Sequence, residues 1–257
     1  MAPQRPFPDI LTGRLVTLRR HTPDNLGAFR RWYADPEIAR LARYQQTPMR
    51  SEEIERFFTA RVVGPEALAM AVHERSTDRL VGTCAFSQMD GDNGSALFHI
   101  TIGEPDTWGR GFGTEATRLM IDDAFGVMGL HRIALYVFEF NVRAIRAYRR
   151  CGFVVEGRSR ESIWREDHWW DELAMSILES DWRAARAAGS ADVADPADVD
   201  TAPESFHRLP DGKSPGQTVP GQKSPGQKSP GQTLPRPAAS VRRRGPGFVR
   251  RAVRRFT

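Results

Sequence analysis

The stretch Trp108-Gly109-Arg110-Gly111-Phe112-Gly113-Thr114-Glu115-Ala116 sets three glycines at alternate positions and then runs straight into a helical pattern. Before it lies an alternating, strand-like run, "SALFHITIG". After it Ala116, Leu119, Met120, Ala124 and Val127 recur at helical spacing up to Gly129. A ligand-free turn from strand to helix needs one glycine, so three alternating ones argue that something approaches the backbone closely. A Walker-type phosphate loop requires Gly-Lys-Ser/Thr, and the chain has no lysine before Lys213. A dinucleotide fingerprint requires GxGxxG after a first strand, whereas the spacing here is GxGxG, deep in the chain. The reading left is a phosphate-holding turn at a helix start, where free amides and the positive end of the helix meet an anion.

Composition divides the chain near residue 186. Of its 37 basic and 32 acidic residues, 12 and 6 fall within 190–257, so the basic excess belongs to the tail. That tail opens with an Ala/Asp stretch from Ala191 to Asp200. It continues as KSPGQ, TVPGQ, KSPGQ, KSPGQ over Lys213–Gln232, and ends with Arg242, Arg243, Arg244, Arg250, Arg251, Arg254 and Arg255 among apolar residues. Proline and glycine at that density leave nothing to bury, so 186–257 is expected to be a disordered low-complexity tail. Its arginine-rich end suits weak contact with nucleic-acid phosphates or an anionic surface, although a solvated terminus has the same composition.

No apolar run approaches the ~20 residues of a membrane span, and the first ten residues do not read as a signal peptide. Cys84 and Cys151 are too few for a disulfide framework or a zinc site and are expected to be buried small hydrophobes, not nucleophiles. A cytoplasmic protein without metal, monomeric or homodimeric, is expected.

Residues 1–185 read as one α/β domain with a mixed sheet. "GRLVTLRRHT" (13–22) is a first strand; a helix capped by Thr22 or Asp24 follows, then a second capped by Ser51. "ALAMAVHE" and "RLVGTCAFSQM" are strands about a turn at 75–79, and "GDNG" leads into the strand before the glycines. "HRIALYVFEF" is an apolar, central strand, "NVRAIRAYRRCG" a helix from Asn141 to Gly152, and 153–164 with 168–178 a closing pair.

"IGEPDTWGRGFGTEATRLMIDDAF" followed by "GLHRIALYVFEFNVRAIRAYRRCGFVVEGRSRES" resembles the GCN5-related N-acetyltransferases (GNAT), most closely the branch similar to ribosomal-protein N-terminal acetyltransferases, from about Gly13 through Leu178. The resemblance implies a mostly antiparallel sheet whose central strands splay apart, flanked by helices, and acetyl-CoA as co-substrate. It implies that Trp108, Gly109, Arg110, Gly111, Phe112, Gly113 and Thr114 hold the diphosphate, with Trp108 where the general motif has Gln or Arg. Arg110 is then the only nearby positive side chain. Strand residues Ile100, Thr101 and Ile102 would pair with the pantetheine arm, and an amide near Thr101 or Ile102 would hold the oxyanion. Asn141 opens the cofactor-side helix, and Tyr148 stands where the family often has a tyrosine near the thioester sulfur.

The implied chemistry is direct attack by a primary amine on the thioester, which requires a base for the amine and an acid for the thiolate. Tyr148 is the expected acid; packing on the face of Ala144, Ile145 and Cys151 is its structural alternative. The branch's strand glutamate falls on Leu97, which leaves His99 as the expected base, with Glu104, Glu37 or a water chain as alternatives. Trp164, Trp169, Trp170, Asp167, His168, Asp171 and Glu172, with Trp32, Tyr33, Asp35, Glu37 and Tyr44, are expected to border the acceptor site. The acceptor expected is a protein N-terminus or a small amine such as an aminoglycoside or polyamine. The competing expectation is a non-catalytic CoA-binding or nucleic-acid-associated module that works through the tail.

Overall fold

The computed structural model describes residues 7–45 and 47–189. The tail expected over 186–257 lies, from residue 190 on, outside the described residues, and with it the arginine-rich end. Eight strands form one sheet in the order β1-β2-β3-β4-β5-β6-β8-β7, antiparallel at every step except β5 to β6. In chain order these are β1 (Ile10–Thr12), β2 (Val16–Arg20), helices α1 (Leu26–Tyr33), α2 (Pro36–Ala42) and α3 (Ser51–Phe57), β3 (Leu68–Glu74), β4 (Leu80–Asp90), β5 (Ser95–Ile102), α4 (Phe112–Gly126), β6 (Arg132–Phe138), α5 (Val142–Arg150), β7 (Val154–Arg165), β8 (His168–Leu178) and α6 (Glu179–Ala187).

Local chemistry moves several expected boundaries. The strand expected over 13–22 is shorter, Val16–Arg20, and a further strand, Ile10–Thr12, precedes it; the Glu115 carboxylate accepts the amides of Arg14 (2.9 Å), Leu15 (2.6 Å) and Val16 (2.7 Å) and holds the turn between the two. Ser51 does not cap α3; Arg50 does, its N–H donating to Glu53 Oε2 at 3.0 Å. Neither Thr22 nor Asp24 caps α1, since a short turn of 3-10 helix, Pro23–Asn25, intervenes and puts Asn25 at the cap. Helix α4 stops at Gly126, not Gly129. Helix α6 was not anticipated; its Trp182 donates to Asp122 at 2.6 Å and packs on Phe125, which fastens it to α4. No helix among the described residues is long and apolar enough to cross a membrane.

Two apolar clusters cover the two faces of the sheet. One lies under α4 and α5, with Ala116, Met120, Ala124, Ile133 and Met175 fully buried. The other lies under α1 to α3, around Phe29 and Trp32. The feature that positions the site is the parallel junction. β5 and β6 pair only at Ser95–Leu97 with Arg132–Ala134, then diverge, although β5 continues to Ile102 and β6 to Phe138. That is the splay expected of the central strands.

Candidate active site

The glycine stretch closes the open end of this gap. Gly109 and Gly111 adopt φ of 78° and 87°, left-handed values that L side chains rarely take. A Cβ at Gly111 would also come within 3.3 Å of Leu15. The curl leaves a row of donors: among the described residues nothing accepts from the amides of Gly109, Arg110, Gly111, Phe112, Gly113 or Thr114. Helix α4 runs fifteen residues from this point, so its positive end faces the same space. An unpaired row of N–H groups at a helix start fits a diphosphate.

Arg110 does not supply the charge expected of it. Its guanidinium donates to the buried Glu74 carboxylate at 2.7 Å, where Thr77 and Arg110 together hold that carboxyl below its usual range. Arg110 thus ties the cradle to β3. It is also not alone, because Arg143 of α5 stacks 3.8 Å over the Trp108 ring. Trp108 itself explains how an indole can stand at a position expected to be polar: its Nε1 donates to Ile102 O at 2.8 Å, fixing the end of β5.

The β4–β5 ladder decides which amides face the gap. Gly103 N donates to Val81 O at 2.9 Å, and bonded pairs alternate along an antiparallel ladder. Thr101 therefore exchanges hydrogen bonds with Thr83 of β4, and Ile100 and Ile102 direct their backbone groups into the gap. Of the two amides expected to serve an oxyanion, only that of Ile102 is placed to do so. Thr101, expected to contact the cofactor arm, turns its backbone away from it.

On the α4–α5 face, Tyr148 is buried against Phe153, and burial pushes its hydroxyl well above the usual phenol range. No described residue hydrogen-bonds that hydroxyl, so it is a neutral donor without a protein acceptor. Asn141 begins α5 as expected, yet both ends of its side-chain amide are occupied: Oδ1 accepts from Ala144 N and Nδ2 donates to Leu41 O, each at 3.3 Å. It locks α5 to the end of α2. Both cysteines are buried, with the Cys151 thiol pushed up to about 12. No cluster of three or more metal-ligating side chains occurs among the described residues.

The opposite face, toward α1 to α3, holds the remaining candidates. His99 stands on it with Nε2 2.7 Å from Ser87 Oγ, and desolvation lowers its pKa below the usual imidazole range. Glu104 and Glu37 are engaged elsewhere. Glu104 accepts from Trp32 Nε1 (2.8 Å) and Arg79 (2.7 Å), and Glu37 is paired with Arg40 at 3.0 Å. Asp35 caps α2, and Asp171 pairs with Arg158 at 2.7 Å. Tyr33 reaches the Thr101 side chain, Tyr44 packs edge-on against Phe138 at 5.5 Å, and Phe138, Phe140 and Trp170 continue the aromatic row. Trp164 and Trp169 instead pair with each other near the hairpin tip. Phe138 and Phe140 were not singled out in the sequence, where both read as core strand. Their approach to Tyr44 and Trp170 depends on tertiary contacts.

An extended gap in a sheet, with strand amides turned into it and a row of N–H groups without protein acceptors among the described residues at its end, suits a long phosphorylated ligand laid across the sheet. Residues 15–154 match the family model described as an acetyltransferase (GNAT) domain, and the chain belongs to that family. It is 26% identical over 170 residues to the uncharacterized N-acetyltransferase p20 of Bacillus licheniformis, covering 65% of this chain and 94% of that protein. It is 32% identical over 109 residues to a spermidine N(1)-acetyltransferase of Vibrio cholerae, covering 42% and 62%. The crystal structure of a Vibrio cholerae spermidine N-acetyltransferase with CoA and spermine superposes with a TM-score of 0.59 at 24% identity, over 66% of this chain and 98% of that one, a likeness of fold. The protein is an N-acetyltransferase with acetyl-CoA as co-substrate.

Proposed function

We propose that the enzyme acetylates a primary amine carried on a small cationic molecule of polyamine type. The observation that carries this reading is the acceptor face. Tyr44, Phe138, Phe140 and Trp170 form a continuous aromatic row, and Glu172 beside it has no cationic partner among the described residues. Aromatic faces and an uncompensated carboxylate together favour an ammonium ion. The similarity to spermidine acetyltransferases supports the same class.

In this reading acetyl-CoA lies in the gap with its diphosphate on the amides of 109–114, and Arg110 and Asn141 hold that cradle and α5 in place. The amine enters from the α1–α3 face and attacks the thioester carbonyl. The Ile102 amide donates to the developing oxyanion. Collapse expels the CoA thiolate, to which Tyr148 gives its proton, recovering one from the acetylated nitrogen. His99 lines the acceptor face beside Ser87.

Mass spectrometry of full-length protein with acetyl-CoA and a panel of spermidine, spermine, aminoglycosides and peptide N-termini tests the acceptor class. Polyamines are expected to be acetylated in preference to peptides. Acetylation of peptides alone would overturn the reading.

A further inference from the structure

The acceptor face holds one carboxylate that the fold itself does not use. Glu172 is half-buried on β8, accepts a hydrogen bond from the Tyr44 hydroxyl, and has no other partner among the described residues. The other acids of that face, Glu37, Asp171, Glu104 and Asp35, are tied to an arginine, an indole or a helix cap. A half-buried carboxylate without a cation is a place where a cation from outside gains most.

Its height in the sheet matters as much as its charge. Leu97 and Ala134 are the last paired residues of the parallel junction, and Thr101 and Phe138 each stand four residues beyond them. Those two residues are therefore level across the gap, at the height of the Ile102 amide. Phe138 pairs with Glu172 on β8, which puts Glu172 one strand spacing, about 4.8 Å, farther along the same level. His99 lies two residues lower and leans toward β4 through Ser87. The approach is held in shape by Arg165 of β7, which is buried and donates to the carbonyls of Arg43 and Tyr44, the latter at 2.8 Å. The other charged or titratable groups near the aromatic row are Arg43, Arg40, which lies 5.5 Å over the Phe140 ring and pairs with Glu37 and Glu166, His168, which packs on Trp170, and the mutually paired set of Asp171, Arg158 and Glu139.

We infer that Glu172 is the group that takes the proton from the incoming ammonium, with Tyr44 holding it in place between turnovers. This rests on the proposed attack by a primary amine. The ammonium N–H breaks and its proton passes to a Glu172 oxygen. The freed lone pair attacks the thioester carbon, and the C–S bond breaks to release the thiolate. The second nitrogen proton leaves by way of Tyr148 to the sulfur, and the carboxylic acid of Glu172 returns its proton to water. An alkylammonium with a pKa of about 10 is almost wholly protonated at pH 7, so a base at this point matters.

The test is the pH profile of kcat/KM for the best amine of the panel, in wild type, Glu172→Gln, Glu172→Asp and His99→Gln, with acetyl-CoA affinity measured by calorimetry to verify the fold. Glu172→Gln is expected to lower kcat/KM about 100-fold at pH 7, through kcat. The deficit should shrink toward pH 10 as water deprotonates the amine, acetyl-CoA affinity should stay within about twofold, and Glu172→Asp should restore part of the rate. A rise in amine KM alone with an unchanged pH profile would make Glu172 a binding group and overturn the inference. So would an unaffected Glu172→Gln, or loss of the profile in His99→Gln only. A wild type that acetylates no amine overturns the proposed function itself, and is told apart because the variants then have no activity to lose.

Discussion

On the α4–α5 side of the gap the groups proposed to hold acetyl-CoA are backbone amides, those of 109–114 and of Ile102, and side chains there act mainly as struts: Glu115 on the β1–β2 turn, Arg110 on Glu74, Trp108 on Ile102 O. On the α1–α3 side the groups are side chains from separate elements, Tyr44, His99, Phe138, Trp170 and Glu172, on a sheet face that Arg165 fastens to the loop after α2. A surface of backbone amides suits one ligand shared across a family and tolerates little change. A surface of side chains can be rewritten without moving the sheet. On the proposed reading, cofactor and acceptor are recognised by separable parts of the molecule, and substitutions can test that separation.

The largest expected effect is on the backbone side. Gly111→Val forces a β-branched residue into φ of 87° and toward Leu15, which disorders the row of donors. Loss of two charge-assisted hydrogen bonds, roughly 4 kcal/mol, lowers acetyl-CoA affinity about a thousandfold by calorimetry. An affinity within tenfold of wild type would show that the amides are not the main hold on the cofactor.

Tyr148→Phe removes a hydroxyl without disturbing its packing on Phe153. It is expected to lower kcat about 100-fold with acetyl-CoA affinity unchanged within about twofold. Turnover equal to wild type would remove Tyr148 from the chemistry and leave it a core residue.

Arg165→Met cuts the link from β7 to the carbonyls of Arg43 and Tyr44 while keeping an apolar stem in its place. The amine KM should rise about tenfold, and acetyl-CoA affinity should not move, because the hydrogen bonds of Arg165 go to the carbonyls of Trp164, Arg43 and Tyr44 and none to the 109–114 stretch. A matching loss of acetyl-CoA affinity would mean that the two sides are coupled and the comparison fails.

The same division explains what could be read from the sequence. Glycine spacing is a local signal, carried within nine residues, and two of the three glycines, Gly109 and Gly111, take positive φ, so the turn, the following helix and the Asn141–Gly152 helix were legible without a sheet to place them in. Glycine spacing did not reveal that Arg110 would be claimed by Glu74, thirty-six positions away. Nor could it show that Trp108 would reach back to Ile102 O. Glu172 was visible only as one acid in a hairpin rich in them. Its height opposite Thr101 follows from the β5–β6 and β6–β8 registers, and no single segment encodes those. Thr101 and Ile102 looked equivalent until the ladder with β4 fixed which of them turns toward the gap.

The most direct test of the division between the two sides is amide hydrogen exchange of the full-length protein with and without acetyl-CoA, read by mass spectrometry. Residues 109–114, whose amides have no acceptor among the described residues, are expected to slow at least tenfold when the cofactor binds, with 40–45 and 165–172 unchanged within about twofold. Unslowed exchange at 109–114, or slowing centred on the acceptor segments instead, would contradict it.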